Sequence, residues 1–376
     1  MNCNVFYKRA WAEISLRNLR GNIAVISAYS PEIMAVVKAN AYGHGYKEIC
    51  RCLQDVGIGY FGVATLDEAA AVRECCPFSE IAVLSYVQPD YANVLAENKI
   101  IQGVISLEYA RELSKNLTDR SLRCHVKIDT GMGRVGIKKM TAAACADEIG
   151  EINKLPNLEI EGIYTHFPVA DSLDEDDVAY TGGQRQFMHD VYDILCGRGI
   201  KLKHMHYMNS GACCYGEAGG TLARPGILIY GLKPNSALPI PKGIRPVMSL
   251  KALVSQVKTV HAGDCLSYGR TFVAEGDMTV ATVSIGYADG YPRALSSKGE
   301  VLLNGSRCRV LGRVCMDQII VDVTGKEVKA GDVATLIGTD GEETVTADDI
   351  ADLCGTIGYE IVCGITQRVH RQTIEE

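Results

Sequence analysis

The sequence contains no apolar run that approaches the roughly 18 residues needed to cross a bilayer, so no membrane partner is expected. Its first residues, MNCNVFYKRAWAEI, lack an apolar core followed by a cleavage site, which argues against a secretory signal. Basic residues are not in excess either, because 38 Lys and Arg stand against 45 Asp and Glu, a formal net charge of −7. A nucleic-acid partner is therefore not expected, since phosphate binding favours a basic face.

Paired metal-ligand motifs are also missing. The 15 cysteines include no paired C-x-x-C arrangement, so we expect neither a zinc site nor another metal. Cys145 and Cys354 lie in half-apolar stretches with helical spacing, which is typical of small buried side chains. This cysteine usage suits a reducing compartment and predicts a cytoplasmic protein.

A regular alternation fills roughly the first 230 residues. Short apolar runs with polar or glycine-bearing ends alternate with amphipathic stretches such as LEYARELSKNL and GGQRQFMHDVYDILCGRG, which predict helices. The eight runs are IMAVVKANAYGHG, YFGVAT, IAVLSYV, IQGVIS, CHVKIDTGMG, EIEGIYTHF, HMHYMNSG and LARPGILIYG. Eight parallel strands with helical crossovers predict an α/β fold of the TIM (β/α)8 barrel type. An open doubly wound sheet is less favoured, because the sequence contains no GxGxxG turn.

The pattern changes near residue 240. Short β-type runs separated by Gly, Asn or Asp turns follow, and the proline-containing segment NSALPIPKGIRP is the expected linker. We predict a barrel domain over residues 1–240 and a mainly antiparallel β domain over 241–376, with about the first ten residues packed on the β domain. Only TADDIADLCGT looks helical in the second domain, with Thr346 as its N-cap.

Unusual polar residues stand at the ends of the runs, where a TIM barrel builds its site. Lys38 follows the apolar run IMAVV, and burying a lysine there is costly without a function or a partner. It is either an ordinary lysine at the barrel mouth or a partly desolvated nucleophile that forms a Schiff base. Arg134 follows a later run among three glycines and offers a planar fork for a carboxylate.

The last two runs contain a candidate phosphate site. Asn209 and Ser210 end the seventh run, and Arg224 and Gly226 fall within the eighth. A hydroxyl and backbone N–H groups beside glycine suit a phosphate, and the last two βα units of TIM barrels commonly bind one. The nucleophilic lysine, the arginine and this cradle together indicate a phosphorylated cofactor and an amino-acid substrate.

These motifs resemble those of the alanine racemases, which depend on pyridoxal 5′-phosphate (PLP). The matching segments follow the family's order along nearly the whole chain: AVVKANAYGHG, KIDTGMGRVG, YTHF, RPGILIYG, SYGRTF, GYADGYPR and GRVCMDQ. The resemblance implies a TIM barrel with a C-terminal β domain, and a head-to-tail homodimer in which each active site takes residues from both chains. It also implies a two-base racemisation of alanine that supplies D-alanine for peptidoglycan.

The resemblance assigns roles in proton transfer and substrate binding. Lys38 would bind PLP and act as the base on the D side, while Tyr268 of the partner subunit would act on the L side. Arg134 and the backbone N–H of Met316 would bind the substrate carboxylate. Lys127 matches a lysine that is carbamylated in many members and braces Arg134, although a simple salt bridge, for example with Asp129, is its alternative. The channel for the substrate would be formed by Tyr287, Arg293, Arg313 and Asp317.

The resemblance also assigns the cofactor residues. Arg224 would hydrogen-bond the pyridine nitrogen, and His166 would support Arg224. The remaining cofactor residues would be Tyr42, Asn209, Ser210, Gly226, Ile227 and Tyr359. Two segments depart from the family's commonest pattern, since Gly-Ala-Cys-Cys follows Ser210 and Pro168 follows THF. Both departures concern the breadth of substrates more than the type of reaction.

Three alternatives stay open at this point. A serine racemase of the same fold resembles this chain, although such proteins usually have a membrane domain and an Asn in place of Tyr359. Discrimination of one hydroxyl by a pocket wall can be as small as about 10²-fold, so some serine activity is compatible with the sequence. A PLP-binding barrel protein of cofactor homeostasis would lack the C-terminal domain. An amino-acid decarboxylase would need its substrate carboxylate free of Arg134.

Overall fold

The computed structural model describes residues 8–28, 32–216 and 218–375. A strand, β1 (Ala10–Ser15), leads into helix α1 (Leu16–Ser27). A parallel sheet follows, and its strands are hydrogen-bonded in chain order. These strands are β2 (Met34–Val36), β3 (Tyr60–Val63), β4 (Glu80–Val83), β5 (Ile100–Val104), β6 (Leu122–Lys127), β7 (Leu158–Tyr164) and β8 (His204–His206).

The eighth predicted run lies beside β2 but forms no regular strand among the described residues. Two N–H groups of β2 donate to the carbonyls of Ala223 (2.8 Å) and Pro225 (3.0 Å), and Ala223 forms an isolated parallel bridge. Pro225 has no N–H to donate, so a continuous ladder cannot form there. The apolar residues that follow form a 3₁₀ turn, Ile227–Tyr230. The predicted α/β barrel is confirmed as a curled parallel sheet of seven strands. The short bridge at Ala223 joins the eighth run to the first of these strands, β2.

Helices connect the strands and cover the sheet. Their bounds are α2 (Lys38–Tyr42), α3 (Tyr46–Asp55), α4 (Leu66–Cys75), α5 (Ala92–Glu97), α6 (Leu107–Asn116), α7 (Ala142–Asn153), α8 (Glu175–Gly197) and α9 (Ser210–Tyr215). Several begin at a residue whose side chain accepts a backbone N–H of the first turn, such as Thr65 before α4 and Asn209 before α9. The two amphipathic stretches predicted as helices form α6 and most of α8.

The second domain is mainly antiparallel, as predicted. Its strands are β9 (Met248–Val260), β10 (Cys265–Leu266), β11 (Phe272–Val273), β12 (Met278–Val283), β13 (Glu300–Leu303), β14 (Ser306–Arg309), β15 (Ile319–Asp322), β16 (Val333–Asp340), β17 (Glu343–Val345) and β18 (His370–Ile374). The long strand β9 organises the main sheet, because it pairs with β1, β12 and β16.

The start of the described chain belongs to this second sheet. Strand β1 lies between β9 and β18, antiparallel to the first and parallel to the second. Of the first ten residues expected on the β domain, residues 1–7 lie outside the described part of the chain. Lys8 Nζ donates to Gln372 (2.7 Å), and Arg9 forms an ion pair with Asp289 (2.6 Å). The domain boundary at residue 240 stays a prediction.

Two helices cover part of the second domain, α10 (Ala347–Cys354) and α11 (Gly358–Gly364). Thr346 caps α10 by accepting the Asp349 N–H (3.0 Å), as predicted. Helix α11 was not predicted, because its seven residues include two glycines, which have low helix propensity. In the described residues no helix is long and apolar enough to span a membrane.

Candidate active site

A cavity of about 820 Å³ lies where the parallel strands end. Barrels of this architecture have their active sites at this end. Eleven of the predicted residues line it: Lys38, Tyr42, Lys127, Arg134, His166, Asn209, Ser210, Arg224, Gly226, Ile227 and Tyr359. The fold thus brings the predicted cofactor residues together with Arg134 and Lys127, although they are far apart in the chain.

Lys38 opens a left-handed turn, α2, directly after the first parallel strand. Residues 39 to 42 all have φ between +51° and +55°, a conformation that costs roughly 1–2 kcal/mol for each residue with a side chain. The carboxylate of Glu68 stabilises the turn, because it accepts the N–H groups of Ala39 (2.6 Å) and Ala64 (2.8 Å). The sequence did not single out Glu68, whose spacing from Lys38 gives no sign of this contact.

The cavity is positively charged. Its lining includes four cationic side chains, Lys38, Lys127, Arg134 and Arg224, whereas Asp171 is the one carboxylate among the described residues that line it. Burial, followed by the charge of Arg134, lowers the pKa of Lys38. A larger share of Lys38 is therefore a neutral amine than in a lysine with an ordinary pKa, and the surplus of charge favours an anionic ligand.

Lys127 is a buried lysine, with 5% of its surface exposed. Burial, then Arg134 and Arg224, lower its pKa to about 8. The predicted alternative, a salt bridge with an acid such as Asp129, is wrong for the described residues, where no acid forms an ion pair with Lys127. The Asp129 carboxylate instead accepts two N–H groups of its own loop, from Gly131 (3.1 Å) and Gly133 (2.9 Å).

One end of the cavity has the features of a phosphate cradle. Ser210 Oγ accepts the N–H groups of Gly226 (2.9 Å) and Leu228 (3.3 Å), so its own hydrogen is available to a ligand. A Cβ at Gly226 would lie 2.4 Å from the Tyr42 hydroxyl, so only glycine allows the two groups to approach this closely. The ring of Tyr359 stands 6.1 Å from that of Tyr42 on the same side.

Arg224 is held by a different histidine from the one predicted. Its Nη1 donates to His206 Nδ1 (2.7 Å), and its Nη2 donates to the Thr165 carbonyl (2.5 Å). His166 lines the cavity one residue beyond Thr165, where burial and then Arg224 lower its pKa to about 3. The prediction that His166 supports Arg224 is corrected, because His206 ends the strand next to the run containing Arg224 and its ring reaches the guanidinium.

Tyr268 and Met316 line another cavity, of about 440 Å³, on the second domain. They are 69% and 51% exposed, and Asp317 lines the same cavity. The two cavities share no lining residue, so within one chain the predicted second base does not meet Lys38.

The other residues predicted for the channel also lie in the second domain, and they are Tyr287, Arg293 and Arg313. Tyr287 begins a 3₁₀ turn, and the Tyr287 N–H donates to the carbonyl of Cys315 (3.0 Å), next to Met316. The Asp317 carboxylate accepts from Arg368 (2.6 Å). None of the four channel residues lines the Lys38 cavity in the described chain, and their role stays a prediction.

A buried carboxylate, Asp289, anchors this region and was not predicted. It is 1% exposed and pairs with Arg9 (2.6 Å) and Arg368 (3.5 Å), which come from opposite ends of the chain. The motif GYADGYPR contains Asp289, but sequence spacing gives no sign of its basic partners. In the described residues, no group of three or more His, Cys, Asp or Glu side chains is arranged to hold a metal ion.

Fold and site together define a class of protein. It combines a parallel barrel with an antiparallel β domain, and it has a lysine of lowered pKa in a cationic cavity beside a phosphate-type cradle. Residues 14–234 match the family model of the alanine racemase N-terminal domain, and residues 247–373 match that of the alanine racemase C-terminal domain. The chain therefore belongs to the alanine racemase family.

Individual proteins are similar to this chain over nearly their full length. The chain is 42% identical over 368 residues to an alanine racemase of Carboxydothermus hydrogenoformans, covering 96% of this chain and 98% of the relative. A solved alanine racemase from E. faecalis is 33% identical with a TM-score of 0.92, covering 98% of this chain and 99% of its own. A histidine racemase from Leuconostoc mesenteroides is 29% identical with a TM-score of 0.89, covering 99% and 100%.

Proposed function

We propose that this protein interconverts L- and D-alanine with PLP as its cofactor and supplies D-alanine for peptidoglycan. The observation that supports this most directly is the position of Lys38, a lysine with a lowered pKa in a cationic cavity next to the Ser210 cradle. Family membership supports alanine as the substrate. The cysteine usage supports the cytoplasm as the place of the reaction.

The cavity residues fit PLP at three points. The Ser210 hydroxyl, the Gly226 backbone and the Tyr42 hydroxyl would hold the phosphate, Arg224 would face the pyridine nitrogen, and Lys38 would hold the aldehyde carbon. Bound PLP would withdraw electrons from the substrate and so acidify the hydrogen on its Cα. Arg224 is donor-only, so a ring nitrogen that it faces stays unprotonated, which limits this withdrawal and disfavours transamination.

The protein would supply the two bases and the orientation. Lys38 Nζ would take or return the Cα proton on one face of the substrate, and Tyr268 of the partner subunit would do so on the other. Arg134 and the Met316 N–H would bind the carboxylate, which keeps Cα between the bases. The separation of the Lys38 and Tyr268 cavities in one chain supports a head-to-tail homodimer in which each site takes residues from both subunits.

Lys127 would act on Arg134 as a carbamate. Addition of CO₂ to its neutral amine releases one proton and leaves a carbamate anion, which gives Arg134 a partner that the described residues do not provide. Arg134 then clamps the substrate carboxylate, and this clamp argues against decarboxylation. The presence of the C-terminal β domain argues against a barrel protein of cofactor homeostasis.

A chiral assay tests the proposal. The purified protein, incubated with PLP and L-alanine, should form D-alanine and absorb visible light as a PLP protein, and Lys38→Ala should lose both properties. L-serine and L-histidine belong in the same panel, because a structural neighbour is a histidine racemase and the sequence leaves serine open. A colourless protein that forms no D-alanine would contradict the proposal, and a stronger preference for serine or histidine would reassign the substrate.

A further inference from the structure

A row of hydrogen-bonded side chains runs from the cavity into the barrel interior. Arg224 Nη1 donates to His206 Nδ1 (2.7 Å), His206 Nε2 lies 2.8 Å from His125 Nδ1, and His125 Nε2 lies 3.4 Å from the Tyr60 hydroxyl. All four side chains are buried, and the two histidines are 0% and 1% exposed. The first member lines the proposed cofactor site, whereas His125 and Tyr60 do not.

The chemistry of Arg224 determines where the protons in this row lie. A guanidinium has five donors and no acceptor, so His206 Nδ1 must be an unprotonated acceptor. A neutral imidazole has one N–H, which His206 then holds on Nε2 and donates to His125 Nδ1. His125 in turn holds its hydrogen on Nε2, facing Tyr60. Arg224 thereby favours one tautomer in each histidine, and each acceptor farther along the row stabilises that tautomer by pairing with its Nε2–H.

The row is consistent only with neutral imidazoles. Burial and then Arg224 lower the pKa of His206, and burial followed by His204 lowers the pKa of His125 to about 3. A proton added to either ring would place an N–H against another N–H. The plane of His206 is fixed separately, since the ring of Tyr164 stacks on it at 5.0 Å with an interplanar angle of 3°. With the ring plane fixed, the His125 acceptor stabilises the tautomer of His206 that Arg224 requires.

We propose that His125 is a positioning residue for the cofactor site: it accepts the His206 Nε2–H, keeps His206 Nδ1 free to accept, and so holds Arg224 in place. The inference rests on the proposed function only in assigning Arg224 to PLP. Without the His125 acceptor, the buried His206 Nε2–H would lose its partner, so the tautomer that accepts from Arg224 would lose part of its stabilisation.

Variants of residues in and near the row distinguish the loss of a hydrogen-bond acceptor from a change in packing. His125→Asn places an amide oxygen near the position of Nδ1 and keeps the acceptor, whereas His125→Leu keeps bulk without an acceptor. His204→Leu is the matched control, because its ring lies 5.6 Å from that of His125 but its Nδ1 bonds Thr221 (3.5 Å), outside the row. Tyr60→Phe removes one oxygen from the far end of the row and tests the row with the smallest change in packing.

The experiment records ¹⁵N spectra of histidine-labelled full-length protein at neutral pH, together with PLP dissociation constants. Wild type and H125N should show His206 protonated at Nε2 alone, with PLP affinities within about twofold of each other. H125L should mix the tautomers of His206 and weaken PLP binding by about tenfold or more, and H204L should change neither. Y60F should mix the tautomers of His125.

Two results would overturn the inference. One is a wild-type His206 protonated at Nδ1, and the other is an H125L protein with an unchanged His206 tautomer and unchanged PLP affinity. If H125L does not fold, a wild-type His125 protonated at Nδ1 overturns the proton order instead. A wild type that follows the tautomer pattern but forms no D-alanine would contradict the proposed function and leave the role of the row intact.

Discussion

Lys127 is the residue whose surroundings most favour chemical modification. Because its pKa is lowered from 10.5 to about 8, a larger fraction is neutral near pH 8 than in an ordinary lysine, and only the neutral amine adds CO₂. We predict a ¹³C carbamate signal when the protein is kept in labelled bicarbonate. The signal should weaken as the pH falls below about 8, where the amine becomes protonated, and it should be missing in Lys127→Met. A wild type without the signal at pH 8 would contradict the prediction.

Arg134 is expected to act through the geometry of its guanidinium. Arg134→Lys keeps the charge but loses the planar pair of donors that matches a carboxylate. We expect kcat/KM for alanine to fall by roughly 10–100-fold, since a charged hydrogen bond contributes about 1.5–3 kcal/mol. Lys138→Arg, on an exposed residue nearby, is the control and should leave the kinetics unchanged. A fall of less than twofold in R134K would remove Arg134 from substrate binding.

At the scale of single residues, the sequence predicted which residues lie together but not how they contact one another. The eleven residues in the cavity were identified because their motifs are specific and because strand ends converge in a barrel. The partner of Arg224 was misassigned, because His166 follows the end of β7, His206 ends β8, and the sequence does not give side-chain directions. Glu68 and Asp289 were missed, since their partners are backbone groups or distant arginines.

The left-handed turn α2 is the element on which Lys38 depends. Glu68→Ala would leave the N–H groups of Ala39 and Ala64 without their acceptor. Ala39 belongs to the left-handed turn, which is already strained. We expect E68A to lower Tm and to weaken PLP binding by about tenfold, or ~1.4 kcal/mol, with E68Q in between. Asp67→Ala is the matched control, because Asp67 is an acid of the same helical turn that is exposed to solvent. Equal effects of D67A and E68A would show that helix stability, not the turn, is responsible.

Elements with strong periodicity were predicted correctly, and elements made by tertiary contacts were not. Helices α6 and α8 and the seven regular parallel strands follow from spacing and apolar runs. The eighth run looked equally apolar, but Pro225 interrupts its hydrogen bonding and Gly226 lines the cavity. The physical reason is that a local pattern reports burial, whereas a strand also needs a partner for each N–H.

At the scale of the molecule, the two cavities determine the expected assembly. Lys38 and Tyr268 line separate cavities of one chain, so a two-base reaction requires a second copy to bring them together. Differently tagged chains allow two mixed dimers to be purified. One pairs a K38A chain with a Y268F chain, and the other pairs a K38A/Y268F chain with wild type. Both dimers contain the same two substitutions.

Their activities should differ because of where the substitutions fall. If each site takes Lys38 from one chain and Tyr268 from the other, the first dimer has one native site and about half of the wild-type activity, while the second has none. If each chain forms its own site, the result is reversed, since only the second dimer then contains an intact chain. The D-alanine formed by the two purified dimers therefore decides between shared and separate sites. Each dimer is the control for the other, because both contain the same two substitutions.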